Sequence, residues 1–272
     1  MSNEIYIAYW SGEEPTGVEA SPTLLESPDY IDIIPLFYVP VSNNGELNFS
    51  RLTLHNDKET ILGWMNEIRT RQRGSEKQTK FTLCLIGDTF PSLEPSAFAN
   101  TVKSAVDDWQ VDGITIDYEP PNGEKSIIPV VEALREVLGS EALMTAPIYA
   151  PWTYYPNVLK QYAAVFNYIE TMDYTPYPGK QVTLDLLRQY AEIIGTPEQV
   201  DYEKIAIGVS CMQPSKGNAT PLLPDVVDLC KYEPDLGHKA GIMLFTLSYD
   251  VKSHGSAHPN GTYTKAIHDS LP

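Results

Sequence analysis

Strand-like runs alternate with helix-like segments along the whole of this chain. Apolar runs rich in β-branched and aromatic residues predict strands near residues 4–10, 31–39, 80–86, 113–119, 143–149, 166–174, 204–211 and 241–247. Helical spacing of apolar residues predicts helices near 59–73, 94–109, 124–138, 181–195 and 222–232, and shorter ones near 22–27, 156–164 and 263–270. Strands that alternate with helices pair in parallel, and eight such units close most naturally into a (β/α)₈ TIM barrel.

An open, doubly wound sheet is the alternative α/β architecture. No glycine-rich turn follows the first predicted strand, so the sequence gives no support for the nucleotide site of that fold. No internal repeat, linker or low-complexity run divides the 272 residues, and TIM barrels commonly reach this length as one unit. We therefore predict that residues 1–272 form a single catalytic barrel domain.

The charge balance limits the classes of partner. The chain has 19 basic and 36 acidic residues and a net charge of −17. Nucleic acids and anionic membranes bind basic surfaces, so both are disfavoured, whereas neutral sugars are not. No run approaches the roughly 20 apolar residues of a membrane span.

The cysteines and the N-terminal residues bear on the compartment. Cys84, Cys211 and Cys230 are an odd number without metal-like spacing, which predicts buried, reduced thiols. The N-terminus has no basic segment and no cleavage-site pattern. We expect a cytoplasmic monomer, or a secreted protein if a leader has been removed.

Asp117 and Glu119 stand two residues apart at the end of the fourth predicted strand. Because side chains alternate along a strand, both lie on the same face as Thr115. Like charges this close raise one pKa, which keeps a carboxylic acid protonated near neutral pH and able to act as a general acid. A lone acid at a strand end is usually a solvated loop residue, so it is the pair that indicates catalysis.

Aromatic and acidic residues also crowd the ends of the other predicted strands. In a barrel, function lies at the C-terminal ends of the strands. Tyrosines suit any wet rim, because the ring is apolar and the hydroxyl polar, so a structural role is the alternative. Together with the acid pair, the rim is interpreted as a groove in which aromatic faces stack on sugar rings. The candidate substrate-binding residues are Tyr9, Phe37, Tyr149, Met172, Asp173, Tyr177 and Phe245.

Other titratable residues leave alternatives open. Asp173 and Asp250 either line the groove or cap the loops that follow them. Glu170 shares the face of Met172, which directs it into the barrel, and the sequence identifies no group that would neutralise it there. His254 and His258 lie in a Gly/Ser/Pro-rich loop, where a solvated loop is favoured over a metal pair. No metal site and no cofactor are predicted.

At this point four segments resemble one protein family. Residues 112–119, DGITIDYE, resemble the DGxDxDxE signature on the fourth barrel strand of glycoside hydrolase family 18, which comprises chitinases and endo-β-N-acetylglucosaminidases. Residues 172–174 resemble the MxYD element of the sixth strand. Residues 7–10 and 241–250 resemble the first and last strands. The resemblance spans the chain, and the fourth strand is its specific part.

The resemblance implies a role for each of three residues. Glu119 would protonate the departing glycosidic oxygen. Asp117 would hydrogen-bond the substrate's 2-acetamido group, whose carbonyl oxygen attacks C1 to give an oxazolinium intermediate. Tyr174 would hold that carbonyl oxygen through its hydroxyl. The implied activity is retaining, substrate-assisted hydrolysis of β-1,4 bonds in N-acetylglucosamine-containing glycans, without metal or cofactor, and the implied partner is an oligosaccharide or glycan.

Several positions depart from the family pattern. Thr115 occupies the place of the middle Asp, Thr175 that of the Asp in MxYD, and Phe245 that of a Trp under the sugar. An active enzyme with altered specificity or rate is therefore expected, and the alternatives are a lectin-like sugar-binding protein with weak or no hydrolysis, and a barrel enzyme unrelated to these sugars. The segment from about 211 to 241 is too short for the α+β insertion of deep-cleft members, so we expect a shallow groove and endo-acting cleavage.

Overall fold

Parallel strands close into a barrel around which the helices are arranged. The computed structural model describes residues 4–12, 23–74, 77–119, 127–174, 176–196, 200–212, 221–250 and 261–272. The strands are β1 (Ile5–Ala8), β2 (Trp10–Ser11), β3 (Ile33–Pro40), β4 (Lys80–Ile86), β5 (Gly113–Asp117), β6 (Leu143–Ile148), β7 (Tyr168–Thr171), β8 (Ile205–Ser210) and β9 (Gly241–Phe245).

The order of the strands confirms the predicted TIM barrel. Each strand pairs in parallel with its sequence neighbour from β3 to β9, β9 pairs with β1, and β1 pairs with β3 through Ile7 and Ile33. β1 and β2 are two parts of one barrel strand, so the barrel has eight strands. An open sheet would leave two unpaired edges, and this pairing leaves none.

Helices follow the strands in the predicted order. They are α1 (Lys58–Arg71), α2 (Pro95–Asp108), α3 (Ile128–Leu138), α4 (Pro156–Val165), α5 (Lys180–Ile194), α6 (Leu223–Lys231), α7 (Leu247–Asp250) and α8 (Thr262–Ser270). The short helix predicted near 22–27 is a single 3₁₀ turn over Leu24–Glu26, with residue 22 outside the described residues. The predicted start of α3 near 124 is likewise outside them. α6 is the described element between β8 and β9.

The core has two layers. The larger layer lies between the outer faces of the strands and the helices and includes Ile114, Ile116 and Tyr118 of the fourth barrel strand and its end. The smaller layer fills the barrel interior and includes Ile7, Cys84 and Met243 together with Tyr9 and Tyr174. Alternation along each strand separates the layers, which is why the odd-numbered residues after Gly113 face the interior.

The N-terminal end of the barrel contains a buried ion pair. Glu4 precedes β1 and Lys239 precedes β9, and the Lys239 Nζ lies 2.6 Å from an Oε2 of Glu4. The same ammonium group donates to the carbonyl oxygens of Cys230 at 2.7 Å and Tyr232 at 2.9 Å, so it also ties the end of α6 to the barrel. Burial raises the pKa of Glu4, and Lys239 opposes that shift.

Two further expectations concern the cysteines and membrane spans. Cys84, Cys211 and Cys230 are all buried free thiols, as predicted. Within the described ranges, none of the helices combines the length and apolar character needed to cross a bilayer.

Candidate active site

The fourth barrel strand, β5, is fixed by close packing at its start. A Cβ on Gly113 would lie 1.8 Å from the carbonyl oxygen of Leu143, so only glycine allows β6 to approach this closely. The Asp112 carboxylate accepts from the backbone N–H of Phe81 at 2.9 Å and pairs with Arg69 at 2.9 Å. These contacts at the start of β5 fix the register that places Asp117 and Glu119 at the C-terminal end of the barrel.

Thr115 belongs to a row of hydroxyl groups inside the barrel. Its Oγ1 lies 2.8 Å from the Oγ1 of Thr82 on β4 and 2.8 Å from the Oγ1 of Thr145 on β6. All three residues are fully buried. Thr115 thus has hydroxyl partners on both neighbouring strands, and Asp117 is the first acid along the interior face of β5.

Asp117 and Glu119 differ in their exposure to solvent. Asp117 is 4% exposed and its Oδ1 is buried without a hydrogen-bond partner in the described residues, whereas Glu119 is exposed. Burial raises the pKa of Asp117 well above its ordinary value, and the charges of Glu119 and Glu170 and a hydrogen bond with Glu119 raise it further. Burial and the neighbouring acids therefore favour the protonated form of Asp117.

A cavity of about 350 Å³ opens at the C-terminal ends of the strands, where these acids lie. Its volume falls within the usual range for small-ligand sites. Its described lining contains two carboxyl groups, three tyrosines and apolar side chains, and no lysine, arginine or histidine. The lining residues are Tyr9, Phe37, Ile86, Asp117, Glu119, Pro147, Tyr149, Met172, Tyr174, Met243 and Phe245.

Aromatic rings form one side of the cavity, with Phe245 at their centre. The Phe245 ring meets the edges of Tyr9 at 5.8 Å and Phe37 at 5.2 Å between centroids, and it stacks nearly parallel to Tyr174 at 6.3 Å. The peptide bonds that follow Phe37 and Phe245 are both cis. Such a surface offers ring faces for stacking, and its tyrosine hydroxyls offer hydrogen bonds to a polar ligand.

Glu170 lies beneath this cavity and is fully buried. The hydroxyl of Tyr9 donates to its Oε2 at 2.5 Å, while its Oε1 has no hydrogen-bond partner within the described ranges. Burial raises the pKa of Glu170 to about 7, against the opposing effect of hydrogen bonds from Thr145 and Tyr9. No cation was identified for Glu170 from the sequence; in the structure burial favours its protonated form, and hydrogen bonds from Thr145 and Tyr9 stabilise the carboxylate when it ionises.

The structure brings most of the predicted site residues together. Asp117, Glu119 and Tyr174 line one cavity, with the predicted substrate-binding residues on its other sides: Tyr9, Phe37, Tyr149, Met172 and Phe245.

Asp173 and Tyr177 are not among the residues that line the cavity. The Asp173 carboxylate accepts from the N–H of Ala150 and from the hydroxyl of Tyr190, both at 2.8 Å, so it ties the end of β7 to the helical layer. Burial raises its pKa to about 6. The Tyr177 hydroxyl donates to Asp225 at 3.2 Å. Asp173 alternates with Met172 and Tyr174, which line the cavity, so its side chain points the other way. Tyr177 lies beyond Thr171, where β7 ends, so strand alternation does not fix its direction.

Asp250 has a capping role, and three other candidates are outside the described residues. The Asp250 carboxylate is buried and accepts from the backbone N–H groups of Tyr263 at 3.0 Å and Thr264 at 2.7 Å, at the start of α8. Thr175, His254 and His258 lie outside the described ranges. Among the residues that are described, no cluster of three or more His, Cys, Asp or Glu side chains is arranged to hold a metal ion.

Three apolar lining residues were not predicted. Ile86, Pro147 and Met243 contribute the apolar wall. Pro147 lies two residues before Tyr149, and Met243 two residues before Phe245, so extending the alternation back along these strands identifies both. Ile86 ends β4, where its exposure to the cavity depends on how far the strand extends.

Comparison with known proteins identifies solved structures of similar fold. Neither a protein-family model nor a curated protein matches the sequence. A glycoside hydrolase family 18 chitinase from Pseudoalteromonas aurantia superimposes with a TM-score of 0.76 and 19% identity, over 98% of this chain and 100% of that one. A family 18 chitinase from Chromobacterium violaceum gives 0.73 and 16%, over 99% and 84%. A fungal family 18 endo-β-N-acetylglucosaminidase gives 0.68 and 14%, over 99% and 98%.

These likenesses extend over nearly the whole chain, and they agree with the order of the strands and with the barrel closure observed here. The chain therefore has the (β/α)₈ fold of glycoside hydrolase family 18 chitinases and endo-β-N-acetylglucosaminidases.

Proposed function

We propose that the protein is a retaining, substrate-assisted glycoside hydrolase that cleaves β-1,4 bonds in N-acetylglucosamine-containing glycans. The substrates would be chitin oligomers or the chitobiose core of N-glycans. One observation carries the proposal: the exposed Glu119 stands at the mouth of a cavity whose inner wall holds the buried Asp117 and Tyr174. The fold shared with family 18 enzymes supports it.

The roles follow from this arrangement. Glu119, which reaches solvent and substrate alike, protonates the departing glycosidic oxygen. Asp117 retains a proton because it is buried beside another acid, so it can hydrogen-bond the 2-acetamido group while the carbonyl oxygen of that group attacks C1. Tyr174 orients the same carbonyl oxygen with its hydroxyl. Phe245 supports the sugar ring from the aromatic side of the cavity.

A nucleophile supplied by the substrate also fits the lining of the cavity. An enzyme that inverts configuration needs a second carboxylate across the sugar ring to activate water. In the described lining, both carboxyl groups come from the same strand and its end, Asp117 and Glu119. That arrangement favours attack by the acetamido oxygen and, with it, retention of configuration.

A sugar-binding protein with weak or no hydrolysis is the second candidate. It is favoured by Thr115, whose hydroxyl is bound to two threonines and cannot exchange a proton with Asp117 as a carboxyl group would. The cavity and its aromatic side would serve such a protein equally well.

The test is a mass-spectrometric digest of chitopentaose and, in parallel, of a high-mannose glycoprotein. We expect the wild type to release products from at least one of them and Glu119→Gln to lower kcat/KM by about 10³-fold. Glu192→Gln removes the same charge from the exposed surface of α5, where Glu192 pairs with Arg188, and serves as the matched control.

The outcomes separate the candidates. Hydrolysis by the wild type and the control but not by Glu119→Gln supports the proposed enzyme. Binding of chitotetraose without hydrolysis identifies the sugar-binding protein instead. Turnover of glucans without binding of N-acetylated sugars would overturn both.

A further inference from the structure

Glu170 is a buried acid whose charge is not compensated by a cation. It lies on β7, inside the barrel, where it is fully buried. Its Oε2 accepts from the Tyr9 hydroxyl, and its Oε1 is buried with no hydrogen-bond partner in the described part of the chain. An unpaired, buried carboxylate oxygen is costly for a fold, and such costs concentrate at functional sites.

Ionised Glu170 interacts electrostatically with groups at the C-terminal end of the barrel, where the cavity lies. Titratable groups from several elements interact with it: Tyr9, Cys84, Asp117, Tyr162 and Tyr174. None of these groups is basic, and the described lining of the cavity above contains no lysine, arginine or histidine. None of these groups offsets the negative charge that ionised Glu170 exerts on Asp117. Electrostatic interactions are strong in such a buried interior.

Tyr9 connects Glu170 to the cavity. The Tyr9 ring lines the cavity, while its hydroxyl points below to the carboxylate of Glu170 at 2.5 Å. Below Asp117 on its own strand, Thr115 carries no charge and is held by Thr82 and Thr145. Among the described interior residues, Glu170 is thus the acid placed to act on Asp117 from beneath the site.

We propose that Glu170 is a positioning residue for Asp117: held by Tyr9, it places negative charge under Asp117 and so keeps a proton on that carboxyl group. This inference rests on the proposed function, in which that proton is needed for hydrolysis. Glu170 does not touch the substrate. It acts by changing how readily Asp117 loses its proton.

The direction of the effect follows from the charges. As the pH rises through the pKa of Glu170, about 7, this residue ionises and makes ionisation of Asp117 less favourable. Asp117 in the wild type therefore keeps its proton to a higher pH than it would beside a neutral residue. Glu170→Gln keeps the shape and an oxygen for Tyr9 but removes the charge.

The first readout is independent of turnover. Side-chain carboxyl groups are followed by ¹³C NMR as a function of pH in the full-length wild type, in Glu170→Gln and in Glu192→Gln. We expect the titration midpoint of Asp117 to fall by about one pH unit in Glu170→Gln. It should stay within about 0.2 unit in Glu192→Gln, because an exposed charge on α5 is screened by solvent. An unchanged Asp117 titration in Glu170→Gln overturns the inference.

The second readout is the pH dependence of kcat/KM. In Glu170→Gln the alkaline limb of the profile should shift to a pH about one unit lower. At pH values above the limb, kcat/KM should therefore be about tenfold lower than in the wild type, while its value in acid stays unchanged. A merely structural role would lower activity at every pH and leave the limb in place. An alkaline limb at the same pH in both proteins also overturns the inference.

The two readouts keep this inference and the proposed function apart. Hydrolysis absent from the wild type, with a shifted Asp117 titration, refutes the proposed function and leaves the coupling standing. Hydrolysis by the wild type, together with an unshifted Asp117 titration in Glu170→Gln, supports the proposed function and refutes the coupling. If Glu170→Gln does not fold, the wild type alone provides the test: the Asp117 signal must show an inflection at the midpoint of Glu170, and its absence refutes the coupling.

Discussion

The two ends of the barrel bury carboxyl groups in opposite ways. At the N-terminal end, Glu4 meets Lys239 at 2.6 Å, and the ammonium group also satisfies two backbone carbonyl oxygens. At the C-terminal end, Asp117 is buried beside Glu119, Glu170 is buried beneath the cavity, and the described lining of that cavity offers no cation. The first arrangement pairs opposite charges and ties the end of α6 to the barrel. In the second, burial without a cation raises the pKa of both Asp117 and Glu170.

The largest expected effect comes from breaking the compensated end. Lys239→Met leaves the Glu4 carboxylate buried without its partner, so the free energy of unfolding should fall by about 3–5 kcal/mol, measured by chemical denaturation. Hydrolysis, measured where the variant is still folded, should be unchanged. The double variant Glu4→Gln, Lys239→Met should recover part of the loss. A loss below about 1 kcal/mol in the single variant would mean that the ion pair does not stabilise this end.

Removing a charge from the uncompensated end should have the opposite sign. The pKa of Glu170 is raised to about 7 in the folded protein, so its contribution to stability is present below its ordinary pKa of 4.5 and is lost as the pH rises through about 7. Glu170→Gln has no such dependence. The free energy of unfolding of the variant should therefore gain on that of the wild type by on the order of 3 kcal/mol between about pH 4 and pH 8.

Denaturation series at several pH values measure this gain, and Glu192→Gln is the control with the same change in charge on the exposed surface. A difference between Glu170→Gln and the wild type that stays constant over the range would show that Glu170 is not strained by its burial.

Removing a single tyrosine hydroxyl should affect activity at one site and stability at another. Tyr174→Phe removes the hydroxyl proposed to hold the substrate's carbonyl oxygen, so kcat should fall about 100-fold with little change in stability. Tyr263→Phe removes a hydroxyl that donates to the carbonyl oxygen of Pro221, so stability should fall by about 1 kcal/mol with activity unchanged. Steady-state kinetics and thermal unfolding of both variants make the check. Equal activity in Tyr174→Phe and the wild type would remove this residue from the mechanism.

Strand alternation accounts for what the sequence predicted well. It requires only local patterns to place eight strands in order, and closure into a barrel then follows from parallel pairing. The same alternation predicted that Asp117 and Met172 face the barrel interior, and both side chains line the cavity. Asp173 was assigned to the groove as part of the strand predicted at 166–174, although the period of two places it opposite Met172 and Tyr174. Tyr177 was assigned from its position beyond that strand, where the period does not apply.

Contacts across the barrel could not be predicted from the sequence, because they join residues that no local pattern connects. Tyr9 and Glu170 are 161 residues apart in the sequence, and their hydrogen bond exists because barrel closure brings β1 and β7 to the same interior layer. No local pattern encodes such a pair. Likewise the partner of Glu4 is Lys239, near the other end of the chain. The acids are visible in the sequence, but what compensates each of them is a property of the closed fold.

Proton NMR of a fresh digest tests the proposed mechanism most directly. Chitopentaose, or whichever N-acetylated glycan the wild type cleaves, is followed from the first turnover, before the reducing ends equilibrate. Two acids on one strand, with the substrate's acetamido oxygen as nucleophile, predict that the first product carries the β-anomeric proton signal and that the α signal grows only later. An α anomer in the first spectra would contradict this account, because inversion requires a water activated from the far side of the sugar ring.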